Sequence, residues 1–362
     1  MNKKKELGQF FTKNTEYIID DLYEIIPCEY SIVVVDPFAG EEDLLKYIKQ
    51  HRSNVQIVAY DIDPKTPDSI CRDSLLNPLN LRKGWVITNP PYLAKNKTKV
   101  REPFLLYDVD DLYKCALKMI SGYCGNSPCD GGILIIPLNF FSDRDDSLRR
   151  WFLSKYKVDC LRIFQERVFE DTDYTVCAFS FFRQENTSQR IKSVKFLPHK
   201  EGEGKENGFR LLKEDGYRIG GRFFRLAQRH KDKKDRIRIE RLVKNREVPA
   251  DYAITRLYLR AIDTGTDDGR VCLQINPNPL YAKESDRTFA TIVSSSPLTW
   301  VDEEEIAKEF NRILEGYRAK YNSLMLTNYR NSSASYARKR IDFTTAFNLI
   351  EYIMYEMGLR KK

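Results

Sequence analysis

The hydrophobic positions in the first half of the chain fall into short runs separated by longer amphipathic stretches. The runs 31–35 (SIVVV), 55–60 (VQIVAY), 84–88 (GWVIT), 131–138 (GGILIIPL), 158–164 (VDCLRIF) and 175–182 (TVCAFSFF) are rich in Val, Ile and Phe. Each is shorter than an ordinary helix, so the pattern predicts strands. Between them, 43–51 (DLLKYIKQH) and 106–120 (LYDVDDLYKCALKMI) place apolar residues at helical spacing. Strands alternating with helices predict an α/β domain with a doubly wound, mostly parallel sheet covered on both faces.

The pattern changes after Gln184. The segment ENTSQRIKS reads as a linker, residues 200–222 are rich in Gly, Glu and Lys, and a β-leaning basic region runs to about Pro297. From Asp302 to Leu326, Ile306, Phe310, Ile313, Leu314, Tyr317, Tyr321 and Leu324 recur at helical spacing, with Asp302 as the expected N-cap. A second helix is expected from about Asp342 to Met357, ended by Gly358. The expected organisation is therefore a domain over 1–185 and a C-terminal α+β region over 186–362, the latter ending in a helical segment from about 302.

Composition narrows the setting. The 362 residues are 42% hydrophobic, and no apolar run approaches the roughly 18 residues of a membrane span. The N-terminal MNKKKELGQFF lacks the apolar core of a signal peptide, so a soluble cytoplasmic protein is expected. The eight cysteines then read as reduced thiols, and no metal is expected, because Cys124 and Cys129 have no His nearby. Net charge is +8. Residues 190–246 hold 19 Lys/Arg against 8 Asp/Glu, a local excess of 11, and residues 318–340 hold 6 basic residues and no acid. Two basic stretches in the C-terminal half point to a polyanionic partner there.

Chemistry is written at the strand ends. Asn89-Pro90-Pro91-Tyr92 directly follows the strand at 84–88. Two prolines stiffen the turn. The Asn89 side-chain oxygen and the Pro90 carbonyl can then accept both hydrogens of one planar amine, with the Pro91-Tyr92 step fixing the turn and the Tyr92 ring alongside as a stacking surface. Such acceptors localise the lone pair of a weak nucleophile such as an exocyclic adenine amine. Asp36-Pro37-Phe38-Ala39-Gly40 ends the strand at 31–35, the usual position of an adenosyl or dinucleotide cofactor. Asp61 ends the next strand, at an offset suited to gripping ribose hydroxyls. Asp73, in Arg72-Asp73-Ser74-Leu75, is placed to accept from an adenine amine.

With these motifs, residues 5–182 resemble the gamma-class N6-adenine DNA methyltransferases of restriction–modification systems, in which cofactor motifs precede NPPY and target recognition lies C-terminal. Leu7-Gly8-Gln9-Phe10-Phe11-Thr12 looks like their N-terminal motif, and Val168-Phe169 with Tyr174-Thr175-Val176 looks like their motif VIII. The resemblance implies a Rossmann-like class I fold that uses S-adenosylmethionine. The cofactor would be bound by Phe11, Thr12, Asp36, Phe38, Gly40, Asp61, Ile62, Asp73, Ser74, Leu75 and Asn89. It further implies an adenine flipped out of double-stranded DNA and held between Tyr92 and Phe169. A separately encoded restriction endonuclease is the partner it suggests, in a prokaryotic or phage setting close to the nucleoid. DNA contacts are expected from Arg222, Arg225, Lys233 and Lys234, which face phosphates. Tyr329, Arg330, Arg338, Lys339 and Arg340 are expected to mix base and phosphate contacts.

One departure stands out. The family carries a second glycine two residues after the first, whereas here Gly40 is followed by Glu41-Glu42. Such a carboxylate either grips a ligand ammonium or crowds the cofactor. Two other readings of the NPPY turn remain: methylation of a protein glutamine or an RNA base, and a DNA-binding relative without catalysis.

Overall fold

The computed structural model describes residues 14–143, 145, 147–164, 168–169, 175–184, 188–197, 208–243, 247–263, 270–278, 285–328 and 338–361. The chain divides into two units, Met1–Tyr217 and Arg218–Lys362.

In the first unit the strands are β1 (Val33–Asp36), β2 (Gln56–Asp61), β3 (Ile70–Cys71), β4 (Gly84–Thr88), β5 (Gly131–Pro137), β6 (Tyr156–Phe164), β7 (Val176–Arg183), β8 (Ser188–Arg190), β9 (Ser193–Leu197) and β10 (Arg210–Leu212). Eight of them form one sheet in the order β3-β2-β1-β4-β5-β7-β6-β9, and β8 pairs with β10. Strands β3 to β5 are mutually parallel, β7 runs antiparallel to both β5 and β6, and β9 returns parallel to β6. The chain builds outward from β1 to β3, then crosses back to lay β4 on the other side of β1. That reversal opens a crevice beyond the carboxyl ends of β1 and β4. The fold is the α/β, mostly parallel sheet that the strand and helix pattern predicts.

The sheet holds together through its apolar middle. Ile133 to Ile136 of β5, Val86 and Ile87 of β4, and Phe179 and Phe181 of β7 are all buried. Burying each such side chain contributes roughly 1.5–3 kcal/mol. Phe181 meets the rings of Phe152 and Tyr156 at 5.3 and 5.1 Å. Gly132 is required where β5 approaches β4. Its φ is +153°, and a Cβ there would lie 1.7 Å from the Val86 carbonyl oxygen.

The helices here are α1 (Thr15–Ile19), α2 (Asp43–His51), α3 (Glu102–Tyr107), α4 (Leu112–Ile120) and α5 (Ser147–Lys155). The single helix expected over 106–120 is two. Asp108 turns left-handed (φ +48°) and ends α3, and Asp111 restarts the chain by accepting the Tyr113 N–H as the N-cap of α4. The compositional break at 185 is not the structural one either. Strand β9 continues the main sheet beside β6, and the buried Ile191, Phe209 and Leu211 carry the first unit on to Tyr217.

The second unit contains α6 (Gly221–Leu226), β11 (Ile239–Arg241), β12 (Ala253–Arg260), β13 (Cys272–Ile275), β14 (Phe289–Ser294), α7 (Trp300–Tyr321), β15 (Thr327–Asn328), β16 (Lys339–Arg340) and α8 (Phe343–Glu356). An antiparallel sheet in the order β11-β14-β12-β13 packs Leu257, Leu259 and Ile292 into one core with Ile306, Phe310 and Leu314 of α7 and Leu349, Ile350 and Ile353 of α8. The N-cap of α7 is Thr299, not Asp302. The Thr299 hydroxyl accepts the Asp302 N–H at 3.2 Å, and the Asp302 carboxylate accepts the Thr299 N–H at 3.0 Å. Asp302 thus closes a capping box from inside the first turn. Helix α8 starts where expected, with Asp342 as its N-cap, and gives way to the left-handed Gly358 (φ +81°).

Candidate active site

Strand β1 delivers Asp36 to the crevice, where it is buried beside Thr88 at the end of β4. Its Oδ1 accepts the Phe38 N–H at 3.0 Å, bending the chain into the turn that follows. Burial pushes the Asp36 carboxyl up to about 7. The Thr88 hydroxyl and the Phe38 N–H oppose that rise, while the charges of Asp61 and Glu42 add to it. The turn itself needs Gly40, whose φ is +52°.

Glu42 occupies the position of the missing second glycine and adopts the conformation a glycine would adopt, with φ +60° and ψ +22°. A left-handed conformation costs a non-glycine residue roughly 1–2 kcal/mol. The carboxylate offsets this cost. It accepts from the Ser69 hydroxyl at 2.5 Å and from the Thr66 hydroxyl, clasping the turn after β1 to the loop after β2. Glu41 lines the crevice, whereas Glu42 is not among its described lining residues.

Asp61, at the end of β2, is also buried. Its Oδ2 accepts the Gly40 N–H at 2.9 Å and its Oδ1 accepts the Asp63 N–H at 2.8 Å. In this structure it braces the glycine turn while also lining the crevice. Asp73 shapes the next corner by accepting the N–H groups of Leu75 and Leu76, each at 3.0 Å. The neighbouring Ser74 hydroxyl is buried with no hydrogen-bond partner among the described residues, a group left for a ligand to satisfy.

These residues converge on one cleft of about 1030 Å³, its solvent mouth included. Asp36, Phe38, Gly40, Asp61, Ile62, Asp73, Ser74, Leu75, Asn89 and Pro91 line it, so the turn after β1 and the NPPY turn open on the same space. Among the described lining residues five are acids (Asp36, Glu41, Asp43, Asp61 and Asp73) and one, Arg72, is a base. Such a lining suits a ligand that carries positive charge together with hydroxyls and an apolar ring. It repels a pyrophosphate.

Neither a protein-family model nor a curated protein matches the chain. Among solved structures, it is similar to a modification subunit of a putative type I restriction enzyme from Vibrio vulnificus YJ016, at 14% identity and TM-score 0.40, over 55% of this chain and 49% of that one. It is also similar to a putative class I S-adenosylmethionine-dependent methyltransferase from Listeria monocytogenes (14% identity, TM-score 0.39, 51% and 64% covered) and to the 23S rRNA methyltransferase ErmE (13%, 0.33, 48% and 70%). The chain spans about half the length of the Vibrio subunit. Likeness at this level says nothing of substrate.

The NPPY turn is held from beneath. Tyr92 is only 2% exposed, and its hydroxyl lies against two carbonyl oxygens, that of the Asn89 side chain and that of Ile135 at 2.6 Å. One proton cannot serve both. Asparagine's oxygen and nitrogen are alike in shape, and turning the Asn89 amide over removes this conflict. Its Nδ2 then donates to the Tyr92 hydroxyl, which donates to Ile135. The Tyr92 ring is buried, 6.4 Å edge-on from Tyr113, and its hydroxyl fixes Asn89. Phe169 is likewise buried and is not among the cleft-lining residues. Tyr92→Phe should therefore lower stability by about 1–2 kcal/mol, read as a shift of the urea midpoint. An unchanged midpoint would remove the hydroxyl from this role.

Phe11, Thr12, Tyr329 and Arg330 lie outside the described residues. In the second unit Arg222 and Arg225 on α6, Lys233 and Lys234 in the following turn, and Arg338 are exposed. Lys339 and Arg340 are half-buried in the β15–β16 pair. The Lys339 ammonium donates to the Asn322 carbonyl at 2.9 Å, and the Arg340 guanidinium stands 5.7 Å from the Phe343 ring centre.

Sequence reasoning missed Asp111. Besides capping α4, its carboxylate accepts the Leu93 N–H at 3.2 Å, tying the exit of the NPPY turn to the helix. Burial raises it to about 6, against the pull of the Tyr113 N–H, the Lys114 charge and the Leu93 N–H. The signal was available, since an Asp directly before the helical pattern LYKCALKMI is a cap.

Proposed function

We propose that the protein transfers a methyl group from S-adenosylmethionine to the N6 amine of an adenine flipped out of double-stranded DNA, as the modification part of a Type II restriction–modification system. The observation that carries this reading is the shared cleft: Asn89 opens onto the same carboxylate-lined space as Asp36, Asp61 and Asp73.

The residues present fit the cofactor. Asp61 and Asp73 suit its hydroxyls and adenine amine. The unsatisfied Ser74 hydroxyl offers one further polar contact, and Phe38, Ile62 and Leu75 provide apolar walls. The surrounding carboxylates favour its ammonium and sulfonium charges. When bound, the cofactor supplies an electrophilic methyl group.

The chain's own residues do the rest. The Asn89 side-chain oxygen and the Pro90 carbonyl hold the two amine hydrogens and aim the nitrogen lone pair into the cleft. Pro91 and the Tyr92 hydroxyl keep that pair of acceptors fixed before the base arrives, so little reorganisation is left to the reaction. Arg222, Arg225, Lys233, Lys234 and Arg338 supply cations for the DNA backbone.

The test is to incubate purified protein with S-adenosylmethionine and unmethylated plasmid, then map modified bases by single-molecule sequencing. N6-methyladenine confined to one short motif is the expected result. Methyl transfer to RNA or protein with none to DNA would overturn the substrate. Absence of cofactor binding would overturn the activity.

A further inference from the structure

Downstream of the NPPY turn, residues 95–101 (KNKTKVR) form a strap along the mouth of the cleft before the chain enters α3. We propose that this strap is a phosphate rail, in which Lys97, Lys99 and Arg101 grip the DNA backbone beside the nucleotide whose base enters the cleft. The inference rests on the DNA-methylating reading above. It places DNA contacts on the first unit, in addition to those expected on the second.

Placement is the first argument. Thr98 is extended (φ −132°, ψ 155°) and lines the cleft, Val100 lines it while remaining exposed, and Lys97, Lys99 and Arg101 are exposed. The chain leaves a single 3-10 turn at Lys95–Lys97, passes through Thr98 and bends at Lys99, so its three cations stand on one short exposed segment at the cleft mouth.

Charge is the second. The rail carries its cations 8 to 12 residues after Asn89, and within the strap's own run no acid intervenes before Glu102, whose carboxylate accepts the Arg101 N–H at 3.0 Å. No ion pair engages Lys97 or Lys99 among the described residues. The cleft interior is acidic and its rim is basic. A cationic cofactor is drawn inside, and a polyanion is held at the edge.

Pre-organisation is the third. The Lys95 N–H donates to the Asp110 carbonyl and the Lys97 N–H to the Ala94 carbonyl, each at 2.8 Å, and the Val100 N–H donates to the Thr98 hydroxyl at 3.1 Å. The Arg101 guanidinium donates to the Lys95 carbonyl, which still leaves it donors for a phosphate. A strap already fixed loses little entropy when it binds. Exposed Val100, Leu105 and Leu106 flank the cations with apolar surface suited to sugars and base edges.

The test uses the full chain with Lys97→Gln and Lys99→Gln together, retaining Arg101 because it holds the strap. Affinity for a duplex carrying the mapped site is measured by fluorescence anisotropy across a range of KCl concentrations, with S-adenosylmethionine binding measured alongside. The slope of log affinity against log salt should weaken by about 2, since each phosphate contact contributes about 0.9. Cofactor affinity should stay unchanged, and the Lys97→Arg, Lys99→Arg pair should retain the wild-type slope. A wild-type protein that binds and methylates duplex while the Gln pair keeps the same slope overturns the rail alone. Loss of cofactor affinity in the Gln pair also overturns it, because the lysines would then be structural. A wild-type protein with no affinity for duplex overturns the DNA reading itself.

Discussion

Asn89→Ala should reduce methyl transfer by about 10³-fold or more while leaving S-adenosylmethionine affinity within about threefold, because it removes an acceptor that acts on the reacting amine. The separation follows from the cleft. The cofactor turn is built by Asp36, Gly40, Asp61 and Asp73 from β1, β2 and the β3 corner, and its internal hydrogen bonds do not pass through Asn89. Alanine at 89 also removes a partner of the Tyr92 hydroxyl, which retains Ile135. A modest stability loss should therefore accompany the catalytic one, on the order of 1 kcal/mol. Single-turnover methylation with isothermal titration of the cofactor separates the two readouts. Normal turnover in the variant would sink the assignment of the turn. Loss of turnover together with loss of cofactor binding would mean that Asn89 supports the cofactor site instead of the amine.

Asp36→Asn should move stability and binding in opposite directions. The Asp36 carboxyl is pushed up to about 7 from 3.8, chiefly by burial. A carboxyl raised in the folded state binds a proton that the unfolded chain releases. Its contribution to stability is thus intact at low pH and is lost as pH rises between about 4 and 7. At about 1.4 kcal/mol per unit, the ionised group costs the empty protein as much as about 4 kcal/mol above pH 7. Asparagine keeps the acceptor for the Phe38 N–H and never ionises. The variant should melt about 4–8 °C higher at pH 8, with the gain fading toward pH 5, as read by scanning calorimetry. The same change removes one of five carboxylates from the cleft, so cofactor affinity should fall about tenfold or more at pH 8. In the wild type, affinity should weaken as pH drops below 7 and Asp36 takes up its proton. A variant less stable at pH 8 would show that Asp36 serves the fold rather than the ligand.

Much of the first unit was legible because its strands are short, buried on both faces and punctuated by prolines, glycines and acids. The run GWVIT became β4 with the same ends, and DLLKYIKQH became α2 without a change of residue. The site acids were legible because strand ends in a doubly wound sheet converge wherever the order reverses. What escaped was whatever depended on side-chain neighbours. The burial of Tyr92 and its grip on Asn89 come from the Ile135 carbonyl, 43 residues away, and no local pattern announces that contact. The division of 106–120 turned on a single left-handed Asp108. The β15–β16 pairing of Lys339 and Arg340, and the Lys339 bond to the Asn322 carbonyl, depend equally on neighbours that no local pattern gives.

Glu42, Thr66 and Ser69 form a single unit of inheritance. The acid tolerates its left-handed backbone because two hydroxyls, 24 and 27 residues further on, bind its carboxylate. A descendant that regains glycine at 42 is released from keeping either hydroxyl, whereas one that keeps the acid is bound to both. A pattern written to find such chains should therefore trade the second glycine for three linked positions, since the turn's shape has been preserved by a different set of letters.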